Sequence, residues 1–119
     1  MKNILLVLTA FLFLIPSELI AENTITSIES KWNTTDERSI SFSPQLSIDE
    51  QNIYIYSEKE LNDLEVIIKD SLGNIIYYNV VTISEYTTYP ILIDNWNKGE
   101  YTIQLKKESS YMQGIIRIE

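Results

Sequence analysis

The chain has 119 residues, a formal net charge of −8, no cysteine and no histidine. Disulfide frameworks and thiolate metal sites are thereby excluded, and the commonest general base and transition-metal ligand is missing. So acidic a chain also repels phosphate backbones and anionic membrane surfaces, and Lys106-Lys107 is its one adjacent basic pair, so a nucleic-acid partner is not expected.

At the N-terminus, Lys2 precedes an apolar run from Ile4 to Ile15 that Pro16 closes. Such a run is too short to cross a bilayer as a helix, which takes about 20 residues, and fits a cleavable signal peptide. Residues 1–21 are therefore expected to be a signal-peptide helix, with Ala21 as the small residue before the cut. Lack of a cysteine after the apolar run excludes a lipid anchor there. Membrane contact is then expected only in transit, and the mature chain reaches the periplasm or the cell surface. What remains is enough for one hydrophobic core. Residues 22–38 are polar and read as a flexible leader that docks Trp32, which leaves residues 39–119 as the folded domain.

The domain is a series of short runs rich in Ile, Val, Tyr and Thr, residues suited to a pleated, half-buried surface. Ile40 and Phe42, then Leu46 and Ile48, alternate with polar residues on either side of Pro44. Pro44 has no amide to donate, so this strand is expected at an edge or broken there. Ile53 and Ile55 alternate with Tyr54 and Tyr56, and Leu64, Val66 and Ile68 with Glu65, Ile67 and Lys69. Residues 75–83 form a nearly continuous apolar run, expected where both faces are partly covered. Tyr89, Ile91 and Ile93 follow, then Tyr101, Ile103 and Leu105, and the chain closes with Met112 to Ile118. Seven runs at this spacing predict an antiparallel β-sandwich with Val66, Ile68, Ile103, Leu105 and Ile116 in its core.

Between the runs, Ser57 with Glu60 has the form of a helix-start capping box, but about one turn of helix formers follows, so a loop is expected. Asp70-Ser71-Leu72-Gly73-Asn74 suits a type I turn whose Gly takes the left-handed conformation and forms a bulge. Asn97-Lys98-Gly99 is a second reversal.

Three stretches, Asn52-Ile53-Tyr54-Ile55, Leu64 through Tyr77, and Lys98-Gly99-Glu100-Tyr101-Thr102-Ile103, together with the closing Tyr111 to Ile118, resemble the family catalogued as domain of unknown function 3244. The resemblance runs from Trp32 to the C-terminus. It implies a small exported protein of Gram-negative bacteria, with an immunoglobulin-like or fibronectin type III-like sandwich and no catalytic residues to carry over. The Asp-x-x-Gly-Asn hairpin and the Gly-Glu-Tyr strand start also resemble carboxy-terminal secretion sorting domains. Here the signal peptide leads almost directly into the domain, which favours a free-standing module. The expected fold class is therefore all-β, an immunoglobulin-like or fibronectin type III-like sandwich of about seven strands behind a signal-peptide helix.

No cofactor is expected. Only Gly73, Gly99 and Gly114 are present, so no Gly-rich phosphate loop exists. With 17 Asp and Glu, neighbours such as Asp49 and Glu50 arise by chance and read as a solvated face. Asp94, Asn95, Asn97 and Glu100 make an oxygen-rich loop, but their spacing is not that of a calcium loop and Asp and Asn favour turns.

Eight Tyr and two Trp are the binding clue, since their rings join an apolar face to a polar tip. Tyr54, Tyr56, Tyr86, Tyr89, Trp96 and Tyr111 are the candidate contact residues, with Tyr78 a further exposed ring. Tyr101 reads as structural, at the position of a tyrosine corner. Asp70-Ser71-Leu72 resembles an O-glycosylation acceptor, with Ser71 as its hydroxyl. The reading is a non-catalytic exported module that binds a protein or glycan partner, with strand addition at the Pro44 edge as one mode. A structural spacer without a ligand is the alternative, and a carboxylate hydrolase a distant third.

Overall fold

Alternating β-branched and aromatic residues hold a strand only when a neighbour takes its backbone hydrogen bonds and an apolar layer covers its inward face. The computed structural model, which describes residues 22–32 and 43–119, meets both needs with eight strands. They are β1 (Thr24–Lys31), β2 (Gln45–Ile48), β3 (Asn52–Ser57), β4 (Leu61–Asp70), β5 (Ile75–Ile83), β6 (Thr87–Leu92), β7 (Gly99–Lys107) and β8 (Ser110–Ile118). All pairings are antiparallel, in a five-stranded sheet of order β1-β8-β7-β4-β5 and a three-stranded sheet of order β2-β3-β6. Residues 1–21, expected to be a signal peptide, and Ile40 and Phe42 lie outside the described residues.

Inward side chains of both sheets form one core. Val66, Ile68, Ile103, Leu105 and Ile116 are fully buried in it, as the alternation predicts, opposite Ile53 and Ile55 of the smaller sheet. Trp32, Leu46 and Ile48 pack half-buried around the rim.

The eighth strand is the one the sequence hides. Within the segment read as a flexible leader, residues 24–31 are strand β1, paired with β8 from Thr24 opposite Arg117 to Lys31 opposite Tyr111. Its composition is polar because both its faces are largely open; Ile25 is half-buried and Ile28 is exposed at 48%. What seats it is a gap in β8. Tyr77, Ile68, Ile103 and Gly114 are successive register partners across the sheet, so three bulky residues give way to hydrogen at Gly114. A Cβ built there would stand 3.2 Å from Ile25 Cγ2 and 3.5 Å from Ile28 Cγ1. β1 therefore tucks its two isoleucines against that gap, over a bulge at which Ser27 takes φ 52°. Asn23 secures the start of the strand, donating to the Asp49 carbonyl (3.1 Å) while accepting from the Glu119 amide (3.0 Å).

The Asp70–Asn74 turn closes as expected. Gly73 N–H donates to the Asp70 carbonyl (3.0 Å) and Asp70 N–H to the Asn74 carbonyl (2.9 Å), with Gly73 at φ 87°. The hydrogen-bonded turn before β7, by contrast, lies upstream of Asn97-Lys98-Gly99, with the Trp96 amide donating to the Ile93 carbonyl at 3.0 Å. The stretch after Ser57 is a loop: the buried Ser57 hydroxyl donates to the Lys59 carbonyl at 2.5 Å.

One expectation changes. The apolar run 75–83 is not covered on both faces, because no layer lies over the outward side chains of β5 among the described residues. Val81 and Ile83 are buried, whereas Ile75, Ile76, Tyr78 and Val80 are exposed at 59, 42, 55 and 47%.

Candidate functional site

On the central strand of the smaller sheet, burial of Ile53 and Ile55 turns Tyr54 and Tyr56 outward, because successive side chains alternate faces. Register extends that outer face in rows: Gln45, Tyr56 and Thr88 form one, Ser47, Tyr54 and Pro90 the next, and Asn52 and Leu92 a third. Both rings are half-buried, and Leu92 is 61% exposed. No side chain of β2, β3 or β6 is ionised, in a chain of net charge −8. The result is a flat surface of two phenols, a proline and a leucine edged by hydroxyls and amides.

Tyr54 is fixed on it by the β2–β3 turn. Its hydroxyl donates to Asp49 Oδ2 at 2.5 Å and accepts from Asn52 Nδ2 at 3.4 Å. Asp49 Oδ1 also accepts the amides of Gln51 (2.9 Å) and Asn52 (2.7 Å). The Tyr54 hydroxyl, then these two amides, hold the Asp49 carboxyl below its ordinary value of 3.8, and the same bond to Asp49 raises the Tyr54 phenol. Asp70 is lowered likewise, first by the Asn74 amide.

A carboxyl whose folded pKa is depressed stabilises the fold fully above its unfolded value, and that contribution disappears as the pH falls through the folded value. Stability is thus expected to drop as the pH passes below 3.8, and Asp49→Asn to flatten the acid limb of the urea midpoint plotted against pH. Equal acid slopes for the variant and the parent chain would contradict this.

The remaining candidates do not join this face. Tyr86 is 66% exposed in the turn leading into β6, two residues before Thr88. Tyr89 faces Ile55 across the strands and packs against the core, where its hydroxyl accepts from Asn79 Nδ2 at 3.4 Å. Burial, then a hydrogen bond with Tyr89, pushes the Tyr77 phenol up. Trp96 is half-buried, its ring 5.4 Å from that of Tyr101. Tyr101 is a tyrosine corner: buried, it donates from its hydroxyl to the Asn97 carbonyl at 2.5 Å. Tyr111 lies on the outer face of the larger sheet and donates to Gln113 Oε1. Tyr78 lies on that same sheet's far edge and donates to Glu65 Oε1 at 2.9 Å. Ser71 stands exposed at its hairpin tip.

Among the oxygen-rich loop residues, the Asn97 carbonyl serves Tyr101 and Glu100 pairs with Arg117 at 3.6 Å. Among the described residues no cluster of three or more Asp or Glu could hold a metal ion. Sequence reasoning missed the exposed apolar side chains of β5 and Leu72, which is 85% exposed at the preceding turn. The available signal was the absence of any ionised side chain from Ser71 to Ser84.

The fold has a solved counterpart. A DUF3244 family protein with an immunoglobulin-like β-sandwich fold from Bacteroides vulgatus superposes with a TM-score of 0.65, over 82% of this chain and 99% of that one, at 16% identity. That likeness is one of fold. No curated protein matches the chain. The family model described as "Domain of unknown function (DUF3244)" matches residues 25–118, from the start of β1 to the end of β8. By that match the chain belongs to the DUF3244 family, and it has the antiparallel, immunoglobulin-like sandwich of its solved relative.

Proposed function

We propose that this chain is an exported, non-catalytic module that holds a protein or glycan partner against the outer face of its three-stranded sheet. The observation that carries the reading is the pairing of Tyr54 and Tyr56 at the centre of a face with no ionised side chain on its strands. Phenol rings give apolar contact area at low conformational cost and a hydroxyl for orientation, and the Asp49 bond fixes one of them in advance. Export is carried by the N-terminal segment, with residues 1–21 as a cleaved signal peptide and the folded domain beginning at β1.

Replacing Tyr54 and Tyr56 together by alanine is expected to weaken partner capture from the exported-protein and envelope-glycan fraction at least ~10-fold, the loss of about 1.4 kcal/mol or more. Tyr111→Ala, on the opposite sheet, leaves capture unchanged. Equal capture by all three proteins, or none by the parent chain, would leave the spacer reading, which the separation of Tyr111 and Trp96 from this face favours.

A further inference from the structure

The two sheets carry their charge differently. On the outer face of the larger sheet the signs are mixed within the strands, with Glu29, Glu65, Lys69, Lys106 and Arg117 among its side chains. The strands of the smaller sheet have no ionised side chain, and carboxylates stand at its two ends. Asp49 and Glu50 occupy the β2–β3 turn and Asp94 follows Leu92 by two residues, all three exposed at the end where Asn52 is the partner of Leu92. At the other end, where Ser57 is the partner of Thr87, the exposed Glu58, Glu60 and Glu85 outnumber Lys59 in the β3–β4 and β5–β6 loops. Tyr54 and Tyr56 thus lie in a neutral centre between two acidic rims, on a strand about 17 Å long at ~3.4 Å per residue. At the Asp94 end the rim also has depth. A cavity of 320 Å³ opens there, with Glu50, Asp94 and Glu119 against Lys98 in its lining, beside the Trp96 ring.

We infer that the partner of the Tyr54–Tyr56 face is a protein surface with an apolar centre and Lys or Arg side chains on both flanks, an inference that rests on the reading of this face as a binding site. Charge complementarity selects that partner. A neutral glycan gains no attraction from the rims, and an acidic glycan or an anionic protein is repelled by them. A second copy of the chain would set acidic rim on acidic rim. An apolar centre flanked by cations is attracted at both ends, so the rims steer its approach and fix its register while the rings supply contact area. The placement of the carboxylates fits this division. On the strands they would lose their water under the partner, whereas in the turns they keep it. The rings favour the same chemistry, since the face of a phenol, and more so of an indole, attracts a guanidinium or ammonium group. The cavity takes one such side chain, with Glu50 and Asp94 as its counter-charges and Trp96 as its apolar wall.

A random peptide library displayed on phage, selected on the exported chain at low salt, supplies the probe. Selection should enrich peptides with Lys or Arg on both sides of an apolar stretch. Made synthetically, the most frequent of them should bind the parent chain with a Kd that rises about 3- to 10-fold in Glu50→Gln/Asp94→Asn, and likewise in Glu58→Gln/Glu85→Gln. Both differences should shrink at about 0.5 M salt, where charges more than ~5 Å apart are screened. Glu29→Gln/Glu65→Gln removes the same charge from the larger sheet and should bind like the parent. Failure to select any peptide, or selected peptides without a basic excess, would overturn the inference. So would a Kd unmoved in either rim variant, an equal loss in the Glu29→Gln/Glu65→Gln control, or binding of a neutral glycan that the rim variants leave unchanged. Those results spare the Tyr54–Tyr56 face as long as Tyr54→Ala/Tyr56→Ala loses whatever binding the parent shows. A basic peptide that binds this double variant as tightly as the parent removes the face, and the inference with it.

Discussion

Gly114→Val is expected to lower the unfolding free energy by about 2–3 kcal/mol, because a branched side chain must enter space that β1 already fills. The backbone itself would accept valine, since Gly114 lies within a regular strand and is not among the residues at positive φ. The cost is in packing: even a single Cβ would lie 3.2 Å from Ile25 Cγ2 and 3.6 Å from Ile103 Cγ2. Ile103 is fully buried between Ile68 and Gly114 and has nowhere to go, so β1 gives way. The effect should therefore be local as well as global, with the amides of β1 losing hydrogen-exchange protection before the rest of the larger sheet. A double-mutant cycle isolates the contact. Gly114→Ala should cost less in an Ile25→Ala background than in the parent chain, and equal costs would show that β1 does not rest on this position.

Tyr101→Ala should be more damaging, by about 3–5 kcal/mol, since it removes a buried ring and the surface on which Trp96 packs. Tyr101→Phe separates the two contributions. It keeps the ring and removes only the hydrogen bond to the Asn97 carbonyl, for an expected loss of about 1–2 kcal/mol. Trp96 provides the readout, because its fluorescence reports the loop that the corner fixes. In Tyr101→Phe the folded-state emission should shift towards that of exposed indole while the core stays intact. Chemical denaturation that found Tyr101→Phe as stable as the parent would remove the corner from the account.

Positions whose environment is set by alternation were legible in the sequence. Val66, Ile68, Ile103, Leu105 and Ile116 are core because a period of two leaves them one choice of face once their strands form. The Asp70–Asn74 turn was legible because its conformation needs a residue at positive φ and Gly73 supplies it. Strand β1 was not legible, since Thr24, Ser27, Glu29 and Ser30 suit a solvated segment and the strand is made by β8 and the gap at Gly114. That information lies in a glycine far away in sequence. The β5 run was misread for a related reason. An apolar run looks the same whether both faces are covered or one is left open, and the layers packed over it decide between them.

Of the candidate contact residues, alternation placed Tyr54 and Tyr56 correctly on the outward face of β3. The same period of two puts Tyr89 on the inward face with Ile91 and Ile93, opposite Ile55, and not among the contact residues. Alternation could not show that Trp96 belongs to the tyrosine corner, a tertiary contact made through Asn97 and Tyr101.

The three-stranded sheet is proposed to present a partner-binding face. A photo-reactive benzoylphenylalanine in place of Tyr56, illuminated in the living cell, tests it in the compartment the chain reaches. A discrete covalent adduct is expected from that position, and none from the same probe at Thr102, which faces outward on the five-stranded sheet. Protease digestion of the adduct then distinguishes a protein partner from a glycan. No adduct at Tyr56, or the same adducts from both positions, would contradict the claim.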